Sequence, residues 1–272
     1  MRTKLSIAIA VRNGDLFLKQ TLDCIPNSYD VIISDNLSVD STLEIATRSN
    51  AARVVQPVDI LSMSQNWNFV TSHVSTEYFR LCGHDDLINP ESLQAHVNML
   101  DNHPEAVAVF SRRDFLLTIG KKEVTLRKKK FNNKIYHSPI DLIRQICITG
   151  TNPIGEPFVI TFRTNFFSNG WLSWRGLDPI HELETYLTAC SFGKILECDV
   201  SAGQYRVHIN SYSGNLKNYF RQATAHRKWL REQLEYSSLE LKYRALLQFS
   251  SRLRAIIRTV LFAYMRAANR WT

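Results

Sequence analysis

The chain has no run of about 18 uncharged apolar residues, the length a membrane-spanning helix needs, so no such helix is expected. Its five cysteines (Cys24, Cys82, Cys147, Cys190 and Cys198) are scattered, with no CxxC pair. That spacing suits reduced thiols and argues against both a disulfide framework and a zinc site. Glycine is sparse, 10 in 272 residues, and no GxGxxG follows the first strand-like segment, which excludes the usual dinucleotide-binding dehydrogenase. A Gly-rich phosphate loop near the N-terminus is also missing, which disfavours a nucleotidyltransferase. Met1–Lys4 runs into a strand-like segment without a small-residue cleavage site, so no secretory leader is expected, and with the scattered thiols the expected location is cytoplasmic. Internal repeats and low-complexity linkers are absent.

What is present is an ordinary globular composition, 44% hydrophobic and 21% charged, long enough for one large α/β domain with an appendage. Leu5–Val11, Tyr29–Ser34, Ala52–Val55, Glu77–Cys82 and Ala106–Phe110 read as short buried strands. Between them, Asp15–Cys24, Ser38–Ser49, Ser64–His73 and Pro90–Leu100 have helical spacing. Such alternation indicates βαβ units and a parallel sheet. Further on, Phe115–Leu126 reads as a hairpin, Phe158–Phe162 as a strand, Pro179–Phe192 as an amphipathic helix and Lys194–Val207 as a pair of strands.

Ligands of open parallel sheets bind beyond the carboxyl ends of the strands. Val11-Arg-Asn13, Asp35-Asn36 and Gly83-His-Asp-Asp86 all fall at such ends, so three polar clusters meet at one sheet edge. Asp85 and Asp86 precede Asn89-Pro90, which has the form of a helix cap followed by proline at the first helical position. The pair is therefore either a polar turn before a helix or a phosphate and metal site, and the two readings are compatible.

The segments "SIAIAVRNGDLFLKQTL", "VIISDNLSVDST", "SQNWNFV", "CGHDDLINPESL" and "YRVHINSYS" occur in the order seen in family 2 glycosyltransferases of the GT-A fold. The resemblance spans about residues 4 to 213 and implies an α/β domain of GT-A type with a mostly parallel central sheet flanked by helices. Residues 1–213 would form that domain, and 214–272 a basic helical C-terminal extension. The implied chemistry is transfer of a sugar from a nucleotide-diphosphate donor to an acceptor hydroxyl with inversion.

By the same resemblance, Ala10, Val11, Asn13 and Asp35 would hold the nucleoside of a UDP-, GDP- or dTDP-linked donor, with Asn68, His84, Asp85 and Arg206 as further donor contacts. Asp35 also suits an Asx turn ahead of Ser38. Trp67 reads as core packing. Arg12 stands where an aromatic residue is common near the base. Arg206 fits either phosphate or a structural carboxylate partner. The family usually supplies Asp-x-Asp for Mg²⁺ or Mn²⁺, a hard cation preferring oxygen ligands. Here Gly83 takes the first acidic position, leaving Asp85 and Asp86 with His208 as candidate metal ligands. If the chain stayed extended, Asp85 and Asp86 would point to opposite sides, so one direct carboxylate ligand is expected. A general base for the acceptor hydroxyl falls on Glu182, counted back from Gly193, with Asp178 as the rival. Gly155-Glu156-Pro157 matches an acceptor-side loop only weakly. The basic Arg127–Lys130 run reads as a solvated turn.

Charge is unevenly placed: 12 Lys/Arg face 3 Asp/Glu from Leu216 onward, against 21 and 22 before it. Leu253, Ile256, Ile257, Val260 and Tyr264 would share one helical arc, and Arg252, Arg254, Arg258, Arg266 and Arg270 the other. This suits a helix lying on an anionic membrane surface, as at the cytoplasmic face of an inner membrane, or one packed on the domain. A saccharide or lipid-linked acceptor, as in bacterial surface polysaccharide or glycolipid synthesis, would fit the first arrangement. No nucleic-acid module is recognisable, so nucleic acid is not an expected partner. The competing reading is a catalytically silent GT-A domain used for binding or scaffolding, kept open by Gly83 and by His181-Glu182 in place of an acidic pair.

Overall fold

The computed structural model describes residues 3–49, 52–119, 122–127, 133–149, 151–170, 172–174 and 181–208, together with 224–225, 228–229 and 232. Asp178, the 127–130 run beyond Arg127, and the amphipathic 249–271 segment lie outside them.

The chain begins with three β–α units: β1 (Leu5–Val11), α1 (Leu18–Asp23), β2 (Asp30–Asp35), α2 (Thr42–Arg48), β3 (Ala52–Val55) and α3 (Met63–Ser72). Then come β4 (Tyr78–Cys82), β5 (Leu87–Ile88), α4 (Pro90–Asn102), β6 (Ala106–Ser111), β7 (Asp114–Ile119), β8 (Lys122–Leu126), β9 (Ile135–Tyr136) and α5 (Pro139–Thr149). After a 3₁₀ turn at Pro157–Val159 follow β10 (Ile160–Arg163), α6 (Asn165–Ser168), α7 (His181–Ala189), β11 (Lys194–Cys198) and β12 (Gly203–Val207).

Among the described residues the main sheet has eight strands in the order β3-β2-β1-β4-β10-β6-β11-β9. β1, β2, β3 and β4 run parallel, as do β6 and β11, while β10 is antiparallel to both of its neighbours. The mostly parallel sheet expected from the alternation is therefore present. Its strands read as near-continuous apolar runs because helices cover both faces. Leu5, Ile7, Ile9, Ile32, Ile33, Phe79, Val109 and Phe162 are all inaccessible.

Local chemistry sets the helix starts that matter here. Ser62 and Gln65 form a reciprocal capping box at α3, and Asn89 caps α4 with Pro90 at its first position. Two local expectations change. Phe158 and Val159 lie in the 3₁₀ turn, so the strand starts at Ile160. α5 went unread because Pro139 and the preceding basic loop masked its apolar face of Leu142, Ile143, Ile146 and Cys147. The expected 115–126 hairpin is β7–β8, and it belongs to a second sheet of order β5-β12-β7-β8 whose other pairings, of β12 with β5 and β7, are long-range.

That second sheet builds the mouth of the site. β12 pairs in parallel with β7 and antiparallel with the two-residue β5, which directly follows Asp85-Asp86. Gly203 makes this possible: at φ 128°, a side chain there would land on the Leu87 carbonyl. Beyond the main domain, Trp229 is only 5% exposed and belongs to the same core.

Candidate active site

The C-terminal ends of β1 and β2 are locked to each other by neutral hydrogen bonds. Asn13, at φ 54°, adopts the left-handed conformation that Asn tolerates best after glycine. Its backbone N–H donates to Ser38 Oγ (2.9 Å), and its Oδ1 accepts from the Val39 N–H (3.0 Å). The Val11 carbonyl accepts from the Asn36 N–H (2.9 Å). Asn36 pairs both ends of its amide with the Leu61 backbone, pinning the loop before α3. Asn13 and Val11, expected at the nucleoside, thus hold the two loops together, while Ala10 is partly buried beside them.

Asp35 is fully buried at the end of β2. Oδ2 accepts from Gln56 Nε2 (2.7 Å) and from the Ser38 N–H (3.4 Å), three residues on and so one beyond the reach of an Asx turn. Oδ1 is also buried and has no hydrogen-bond partner. An unsatisfied buried carboxylate oxygen is costly, and a ligand N–H or O–H at this edge would satisfy it. Asp35 therefore spends one oxygen on the local fold and keeps the other without a protein partner.

The strand β4 ends at Cys82, and the chain then bends at His84 and Asp85 instead of staying extended. The expectation of opposed carboxylates is overturned by that bend. A Cβ at Gly83 would sit 2.8 Å from Asp85 Oδ1 and 2.9 Å from Asp86 Oδ2, so both acids converge over the glycine. The missing first acid of the motif is what leaves them room. His84 lies with its ring against Gly14, where a Cβ would come within 2.5 Å of Cδ2, and its carbonyl accepts from Thr21 Oγ1 (2.8 Å).

His208, just past β12, reaches Asp85 Oδ2 with Nε2 at 3.1 Å and packs its ring 4.8 Å from Phe17. Burial pushes the Asp85 carboxyl up, but the His208 hydrogen bond and the nearby imidazoles of His84 and His208 hold it below the usual range. Asp86 goes the other way: burial first, then the charges of Asp85 and Glu156, raise it well above that range. Among the described residues no three His, Cys, Asp or Glu groups are spaced to ligate one ion. His208 is hydrogen-bonded to Asp85, next to the two carboxylates. Two acids converging over an open glycine still fit a hard divalent cation that takes its other oxygens from phosphate and water.

Two expected donor contacts have other partners. Arg206 is completely buried. It donates to the Asp85 carbonyl (3.1 Å), Gln20 Oε1 (2.7 Å) and Thr118 Oγ1 (3.4 Å), pairs with Glu123, and lies 4.4 Å over the Phe17 ring. With no exposed donor it braces the acid turn from behind. Asn68 donates to the Trp174 carbonyl and accepts from its N–H, both at 2.8 Å, so it fixes the 172–174 segment where a donor contact was expected. Trp67 packs edge-on against Trp174, as core.

Glu182 stands in the first turn of α7. Burial raises its carboxyl to about 7; Glu156 adds to the rise, and backbone and Asn152 hydrogen bonds and the Arg113 charge oppose it. A carboxyl half-ionised near neutrality is suited to taking a proton. Glu156 and Arg113, which form an ion pair, act on Asp86 as well. Sequence reasoning passed over Arg113 and gave Glu156 little weight. The available signal was Gly155-Glu156-Pro157, where Gly155 adopts φ 125° beside the Arg113 guanidinium.

An α/β domain whose acids and orphaned carboxylate gather at the carboxyl ends of its parallel strands has the form of a GT-A glycosyltransferase. Solved structures agree on the fold. S. aureus TarS 1-349 in complex with UDP-GlcNAc superposes with a TM-score of 0.62 at 14% identity, covering 98% of this chain and 88% of that one. The mannosyltransferase PcManGT from Pyrobaculum calidifontis, in complex with GDP-Man and Mn²⁺, gives 0.60 at 14% identity, covering 100% and 88%. No curated protein matches the sequence. The model of glycosyl transferase family 2 matches residues 6–167, and the chain belongs to that family. It is a glycosyltransferase.

Proposed function

We propose that the protein transfers a sugar, with inversion, from a nucleotide-diphosphate donor to an acceptor hydroxyl. The observation that carries this is the convergence of Asp85 and Asp86 over Gly83, at the same sheet edge as the partnerless oxygen of Asp35. Asp35 Oδ1 would accept from the ribose or base. Asp85 and Asp86 would hold Mg²⁺ or Mn²⁺, which when bound supplies positive charge to the departing diphosphate. Glu182, ionised, accepts the proton of the acceptor hydroxyl. UDP-GlcNAc and GDP-Man in the two structural relatives support the donor class.

The base near neutrality and the paired acids favour catalysis over a silent binding subunit. A panel of UDP-, GDP- and dTDP-sugars assayed with Mn²⁺ tests it. One donor should turn over, and Glu182→Gln should lower turnover by about 10²–10⁴-fold while donor binding persists. Full activity in Glu182→Gln would move the base elsewhere, first to Asp178. No turnover with any donor would leave the silent reading. A lipid-linked acceptor in surface polysaccharide synthesis, at the cytoplasmic face of a membrane, rests on the basic amphipathic tail alone. Flotation of the full chain with anionic vesicles tests it, and equal recovery with neutral vesicles would reject it.

A further inference from the structure

Arg113 and Glu156 come from distant parts of the chain and meet between the acid turn and α7. Arg113 precedes β7 and is 8% exposed, its guanidinium 5.1 Å from the Phe115 ring centroid and 6.0 Å from that of Tyr205. Tyr205 is itself stacked on Phe158, so aromatic faces fix the cation in place. Glu156 follows a tightly built loop. Asn152 Oδ1 accepts from the N–H groups of Ile154 and Gly155 (both 3.0 Å), and its Nδ2 donates to the Gly155 carbonyl (2.8 Å). Tyr186, one turn after Glu182, donates to that same carbonyl (3.2 Å) and so ties the loop to α7. Gly155 is required twice: its φ is 125°, and a Cβ would come within 2.7 Å of Arg113 Nη1.

Resting on the assignment of Glu182 as base, we infer that the Arg113–Glu156 pair is a positioning device for it. The pair sets one fixed positive and one fixed negative charge beside the base and holds the 152–156 loop against α7. Among the described residues, Glu156 and Asn152 from the loop and Arg113 from the start of β7 act on Glu182, which in turn raises Tyr186 on α7. Glu156 disfavours the ionised base and Arg113 favours it, so their effects have opposite signs.

Carboxyl ¹³C NMR of the full chain, labelled at glutamate and with the Glu182 resonance assigned by Glu182→Gln, reads this directly. Glu156→Gln should move the Glu182 midpoint down by about one pH unit, and Arg113→Gln should move it up by about as much. Arg113→Lys and Glu156→Asp keep the charges and should return it close to wild type. Midpoints that stay put, or move in the same direction in both neutral variants, overturn the proposal. If Arg113→Gln does not fold, a downward shift in Glu156→Gln with none in Glu156→Asp still decides it. The acidic limb of kcat should follow the NMR midpoint in each variant. Shifted midpoints with an unmoved limb would support the pair and overturn Glu182 as base.

Discussion

Arg80 and Arg206 are both fully buried arginines, yet they sit in environments of opposite kind. Arg80, on β4, donates to Thr161 Oγ1 (3.0 Å), Ser92 Oγ (2.9 Å), the Ser92 carbonyl (3.3 Å) and His96 Nδ1 (2.8 Å). None of these partners is a carboxylate. Burial draws the guanidinium down to about 10 and, together with Arg80, keeps His96 neutral. Ser111 Oγ closes the network on His96 Nε2 (2.7 Å). Arg206 instead pairs with Glu123, whose side chain is 45% exposed, and links α1, β7 and β8 to the acid turn. The first arginine stiffens the sheet beneath the site through neutral partners. The second aims the site, with its counter-charge in solvent. A buried charge does not announce its role; the partners do.

Replacing each arginine breaks the comparison in a different observable. Arg206→Gln frees the Asp85 carbonyl and the turn it belongs to, and leaves Glu123 able to hydrate. Turnover should fall by about 100-fold, the cost of misplacing reacting groups by an ångström, with a modest loss of stability. Steady-state kinetics beside urea denaturation checks this, and a pure stability loss would make Arg206 a core residue like Arg80.

Arg80→Met should do the reverse. It removes a desolvated charge but strips donors from Thr161, Ser92 and His96. Ser92 Oγ keeps its bond to the Asn89 carbonyl and Thr161 Oγ1 its bond to His96, which limits the damage. A loss of about 1–3 kcal/mol in urea unfolding is expected, with kcat per folded molecule unchanged. A drop in kcat without a stability change would show that the sheet network reaches the site.

Gly83→Ala probes the acid turn alone. The added methyl meets only the ends of the Asp85 and Asp86 side chains, which can swing away, so stability should barely change. Swinging them apart should weaken donor and Mn²⁺ binding by about tenfold, a cost of about 1.4 kcal/mol. Titration calorimetry with Mn²⁺ and nucleoside diphosphate would read it; unchanged binding would place the cation elsewhere.

These contrasts also show what the sequence could express. Apolar runs and caps announced β1, β2, β4, α3 and α4, because burial period and end chemistry are local properties. Strand-end placement was enough to bring Asp35, Asp85 and Asp86 forward, whereas Glu182 came forward only through the family resemblance, counted back from Gly193. Two things were illegible, both non-local. The bend at His84-Asp85 that turns both carboxylates to one side depends on β5 joining β12, more than a hundred residues away. The engagement of Arg206 and Asn68 by Gln20, Glu123 and Trp174 likewise depends on tertiary contacts that residue type does not encode. Arg113 stood in no recognisable motif and acquires a role only through Gly155.

The smallest expected effect concerns the pH dependence of stability, and it separates Glu182 from the neutral core around Arg80. Folding raises the Glu182 carboxyl from the ordinary value of 4.5 to about 7, so the native state binds the proton more tightly than the unfolded chain. Its stabilising contribution is full below pH 4.5 and is lost as pH rises through 7. The group is partly open to solvent, so the loss should be on the order of 1 kcal/mol. Glu182→Gln has no proton to lose. Its urea midpoint should decline less than that of wild type between pH 5 and pH 8, leaving the variant the more stable protein at pH 8. The Arg80 network carries no carboxylate, so Arg80→Met should leave the slope of that decline intact while lowering the whole curve. Parallel curves for wild type and Glu182→Gln would mean that Glu182 is ionised in the native state across this range, and the raised carboxyl would have to be sought at Asp86.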